Sequence, residues 1–175
     1  MCAICEFRIE FSISHPQALS VAMATRRAIE AGQIAAMDID DGALAAARRR
    51  MSAVDALNLL QARIEDTHAT AELRGLPDFY VLLIEDDTWG FFHATQDGFD
   101  PDVVPGMPDV TSADELKRSN VVIMSEAALR AWFDCAFDLA SALRDSLFVI
   151  DAPCGHRESL ARMLATAGAL AIAGG

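Results

Sequence analysis

Two neighbouring runs, FYVLLI at 79–84 and WGFFHAT at 89–95, are apolar at nearly every position, and only Glu85, Asp86, Asp87 and Thr88 separate them. A strand that is apolar on both faces must be covered on both, so the pair predicts a largely buried β-hairpin closed by a short polar loop. The rest of the chain has to supply further strands and helical layers around it.

Residues 6–13 alternate, with Phe7, Ile9, Phe11 and Ile13 on one side and Glu6, Arg8, Glu10 and Ser12 on the other, which is the period of a half-buried strand. Ser14 and Gln17 form a capping-box pattern around Pro16, and a helix is expected from there to Gly32 with Leu19, Ala22, Met23 and Ile29 on its core face. Leu44, Ala47, Met51, Val54, Leu57, Leu60 and Ile64 recur at three- and four-residue steps. They predict the core stripe of a long amphipathic helix running towards Arg74, with a break at 66–68 and Gly75 as its C-cap.

Residues 120–124 read as a short strand, with Ser125 as the N-cap of an aromatic-rich helix carrying Leu129, Trp132, Phe133, Phe137 and Leu143. Another strand follows at 147–150. A turn through Pro153 and Gly155 then opens a last helix bearing Leu160, Met163, Leu164, Ala167 and Leu170. The β-α-β unit across 120–151 predicts a parallel strand pair. The expected fold class is therefore α+β (mixed α/β), a single layer of about five mixed strands packed with four or so helices. It forms one domain over 1–175, a size and an apolar content of 53% that suit one core.

Residues 96–119 carry three of the six prolines and no periodicity, and predict a long loop with at most one helical turn near 113–117. The net charge of −12 is concentrated around this loop, because residues 75–116 hold ten acids and neither Lys nor Arg. Such a field repels phosphate backbones, and no basic patch with interleaved aromatics occurs, so nucleic-acid binding is not expected. No apolar stretch is long enough to span a bilayer, and Glu6, Arg8 and Glu10 stand where a signal peptide would be apolar. A cytoplasmic location without membrane association is expected, and thirteen arginines to one lysine suggest a GC-rich bacterial source.

Four cysteines, Cys2, Cys5, Cys135 and Cys154, are too few for a disulfide scaffold at this length. Cys154 and His156 lie between a strand and a helix, where open α/β sheets bind ligands and where a helix N-terminus favours thiolate. Cys2 and Cys5 form a CxxC, half of a tetrahedral zinc site. If strands 7–13 and 147–150 were neighbours, Cys2, Cys5, Cys154 and His156 would make a Cys₃His set. Cys154 as nucleophile with His156 or His93 as base is the catalytic alternative, and His15 is a further candidate. Each also has a plainer role, as a loop thiol, a satisfied imidazole or a core residue. His68 reads as an exposed helix residue, and Asp97, Asp100 and Asp102 as solvated loop acids without EF-hand spacing. No phosphate loop, dinucleotide fingerprint, nucleophile elbow or zincin motif occurs.

Two readings of function stand side by side. In one, the chain is a small protein with a Cys/His metal- or thiol-based site at 151–156, zinc being the candidate cofactor. In the other it is a non-enzymatic module that binds a small-molecule ligand or a protein through the hairpin and the acidic loop, its cysteines structural. In either, the apolar content and the Ala-rich helices lead us to expect a homo-oligomer, a C₂ dimer.

Overall fold

The computed structural model describes residues 8–9, 14–37 and 42–169. Its elements run β1 (Arg8–Ile9), α1 (Ala18–Glu30), α2 (Ala43–Thr67), α3 (Thr70–Leu73), β2 (Phe79–Leu83), β3 (Thr88–Phe92), β4 (Val121–Met124), α4 (Glu126–Phe133), α5 (Leu139–Arg144), β5 (Phe148–Asp151) and α6 (Cys154–Ala169). Four strands of four or five residues, extended at one edge by the two-residue β1, make one mixed sheet in the order β1-β3-β2-β4-β5. The fold is α+β, with six helices among the described residues.

The hairpin forms as its sequence requires: β2 and β3 pair antiparallel in the centre of the sheet, Phe79 opposite Phe92 and Leu83 opposite Thr88. All five residues of β2 and all four of β4 are buried, so the sheet is covered on both faces. One face carries Phe79, Val81, Leu83, Phe92, Val122, Met124, Phe148 and Ile150, and packs in one cluster with the inner faces of α2, α4, α5 and α6. Gly90 lies under α2 here, and a Cβ at that position would stand 3.3 Å from the Leu57 side chain. The opposite face carries Tyr80, Leu82, Trp89, Val121 and Ile123, and is covered by Val21 of α1 and Val110 of the long loop.

Several expectations change. β4 and β5 are antiparallel, with Val121 opposite Asp151, rather than parallel. A single crossover helix would return the chain to the starting end of the sheet, but here the helix breaks in two. Cys135 takes a left-handed conformation (φ 59°), Asp138 caps α5 by accepting from Ser141 N at 2.7 Å, and the extra reversal brings β5 in from the other end. β1 and β5 lie at opposite edges of the sheet, so Arg8–Ile9, the described part of 7–13, is not the neighbour of 147–150 that a shared Cys₃His site would need. The first helix, α1, starts its first turn at Ala18 with no side-chain cap from Ser14; instead Gln17 N donates to His15 Nδ1 at 3.0 Å. The long helix does break where expected, at His68, before α3. Finally, Leu19, Met23, Leu44 and Met51, expected in the core, point outward.

Candidate functional site

The end of the sheet where β5 finishes and β2 and β4 begin gathers the polar residues singled out in the sequence. Asp151, the last residue of β5, accepts from His15 Nε2 at 3.2 Å and pairs with Arg118 at 3.4 Å. His15 is almost fully buried, and both ring nitrogens are used: Nδ1 accepts from the Gln17 backbone, which places the proton on Nε2, facing Asp151. Burial pushes the imidazole below its ordinary value of 6.5 and outweighs the Asp151 charge, with Arg118 opposing protonation further. An imidazole so engaged has no nitrogen left for general-base work. It ties the start of α1 to the end of β5.

Cys154 and His156, the core of the sequence-based site, stand on the first turn of α6 and face different partners. The Cys154 thiol is exposed and lies 3.7 Å from Glu158 Oε1, a carboxylate one turn along its own helix. His156 Nδ1 meets Asn120 Oδ1 at 3.0 Å, and Asn120 Nδ2 in turn donates to the Asp78 carbonyl at 2.8 Å. His93 pairs with the Asp78 carboxylate at 2.8 Å. Each of these imidazoles is therefore held by an amide or a carboxylate rather than aimed at the thiol. Cys2 and Cys5 lie outside the described residues. Among the described residues no three His, Cys, Asp or Glu side chains stand where they could hold one metal ion. His68 bonds within its own helix end, to the Ile64 carbonyl at 3.0 Å.

Above the same sheet end runs the acidic loop, and it has a definite conformation. Phe99 is buried against Phe79 and Phe92, and Gly98 (φ 118°) brings the backbone so close to α2 that Glu65 accepts from Phe99 N at 2.8 Å. Tyr80 Oη donates to the Gly106 carbonyl at 2.9 Å, while Pro108 and Val110 are buried. Asp100, Asp109 and Asp114 each accept from backbone amides two or three residues on, the Asx-turn arrangement that replaces ladder hydrogen bonds. These amides hold the Asp109 carboxyl below the usual range. The expected helical turn is a single one, Lys117 N to the Asp114 carbonyl. Arg118 then closes the loop onto Asp151.

Between these anchors the loop turns large apolar side chains outward: Val104 is 92% exposed, Met107 68% and Leu116 83%. Six acids (Asp97, Asp100, Asp102, Asp109, Asp114 and Glu115) surround them in sequence, with no base before Lys117. Arg118 and Asn120 are the residues that sequence reasoning missed. The available signal was the abrupt return of positive charge after 42 residues without any, which marks the place where the acidic loop is fastened.

Comparison of the chain with family models, curated proteins and solved structures finds no match. No described helix is long and apolar enough to cross a membrane.

Proposed function

We propose that this chain is a non-enzymatic binding module whose recognition surface is the 96–119 loop, and that its partner is a protein segment carrying both basic and apolar side chains. The observation that supports this reading is the outward placement of Val104, Met107 and Leu116 on a loop that is pinned from within by Phe99, Pro108 and Val110. A loop that only needed solvation would carry polar side chains outward, and one that only needed to fold would turn these apolar ones in. The six acids add attraction for a cationic partner and speed its approach. In this reading the His15–Asp151–Arg118 cluster is the fastening of the loop.

Calorimetric titration of the full chain with an amphipathic helical peptide of Leu and Lys tests the proposal, with a Leu and Glu peptide as the control. Met107→Ser combined with Leu116→Ser should weaken Leu/Lys peptide binding by about tenfold or more, the loss expected when central apolar anchors are truncated. Equal affinity of the variant and the unaltered chain would overturn the reading, as would equal binding of the two peptides.

A further inference from the structure

The outer face of α2 carries a second surface, distinct from the loop. The core side of this helix is filled without Leu44, Met51 or Leu59: Ala45, Ala53, Val54, Ala56, Leu57, Leu60 and Ile64 are buried. On the diametrically opposite side, at steps of four, three, four and four, lie Leu44, Arg48, Met51, Asp55 and Leu59, all exposed, with Leu44 at 67% and Met51 at 68%. A solvated helix face does not call for three large apolar residues in one stripe. The stripe is also self-complementary about a point between Met51 and Ser52: Leu44 falls opposite Leu59, the cation Arg48 falls opposite the anion Asp55, and Met51 lies next to the point itself.

A two-fold axis through that point sets the helix antiparallel to a copy of itself. Leu44 then meets the second copy's Leu59, and Arg48 meets the second copy's Asp55 twice over, while the two Met51 side chains sit together at the axis. Self-complementarity of this kind is the requirement of an isologous C₂ interface, where residue i contacts j and j contacts i. From Leu44 to Leu59 the stripe covers sixteen residues and spans about 22 Å, enough for a helix–helix contact over four turns. We infer that α2 is the homodimer interface of this protein, the occupant of its outer face being a second copy of the same chain. The inference does not depend on the loop reading, since the loop and the α2 stripe share no residue.

Sedimentation or light scattering of the full chain should give twice the monomer mass. Arg48→Asp places two pairs of like charges across the axis and Asp55→Arg does the same with the opposite sign. Each should weaken the dimer by about a hundredfold, given the several kcal/mol that like charges cost at an interface. An equimolar mixture of the two variants restores both attractive pairs and should return dimer mass. The altered side chains are exposed, so circular dichroism should be unchanged. A monomeric unaltered chain, a dimer indifferent to either substitution, or a mixture that stays monomeric would each overturn the inference. Peptide binding at the loop is the independent readout, since loss of the dimer leaves it in place.

Discussion

The two faces of the central sheet are covered in opposite ways. On one, four helices close over Phe79, Val81, Leu83, Phe92, Met124 and Phe148, and the contact is continuous and apolar. On the other, α1 supplies Val21 and the loop supplies Val110, and the cover is tied down at points: Thr25 to Ser125 at 2.9 Å, Tyr80 to Gly106, His15 and Arg118 to Asp151. Shape complementarity over a large area stabilises the first face; a few polar ties fix the second. Tolerance to change should differ accordingly, with volume deciding on the helical face and hydrogen bonding on the other.

The largest effect is expected on the helical face. A Cβ added at Gly168 of α6 would stand 2.6 Å from the Trp132 ring, so Gly168→Ala forces the indole or the helix to move. A stability loss of about 1–3 kcal/mol is expected, read as a fall in the urea midpoint with an unchanged slope. A neutral result would mean that the helical face gives way as easily as the other, and the contrast would be lost.

A smaller, pH-dependent effect is expected on the tied face. Because the folded chain holds His15 below its ordinary value of 6.5, the unfolded chain takes up a proton first as the solution is acidified. The contribution of the neutral imidazole is thus complete above 6.5 and declines as pH falls through that value. His15→Gln should melt below the unaltered chain at about pH 8, and the gap should narrow towards about pH 5. A gap that widens in acid would show that the ion pair with Asp151, rather than the neutral hydrogen bond, fastens this face. The smallest effect belongs to the outward loop residues. Val104→Ser should leave the unfolding free energy within about 0.5 kcal/mol of that of the unaltered chain, as read by urea denaturation, since the side chain covers nothing.

The helical face was legible in the sequence because periodicity reports burial: the hairpin runs, the Ser125 cap and the 160–167 stripe all appear where expected. Periodicity does not report what lies against a face. Leu44 and Met51 satisfy the same three-and-four spacing as Leu57 and Leu60 and still stand outside, because α2 has apolar residues on both sides and only one side meets the sheet. The β5 direction was misread because one left-handed residue, Cys135, splits what looked like a single helix, and nothing in its identity announces a positive φ. The candidate site was located by position, at the strand-to-helix turn, but the partners of its residues come from 36 and 136 positions away, as His156 with Asn120 and Asp151 with His15 show. Such pairings arise from strand order, and strand order was the part of the topology that local patterns left open.

Strand order also decides how the two lengths of chain on either side of the acidic loop are joined. Among the described residues, the part before it contributes β1, β3 and β2, the part after it contributes β4 and β5, and the only ladder between them is the parallel one from β2 to β4. Within the sheet the two pieces thus meet along one seam, and outside it α2 lies across α4 and α6 as a clasp. A scission within the loop would sever the backbone without severing the sheet, so the natural cut point of this chain coincides with the surface proposed above for a partner.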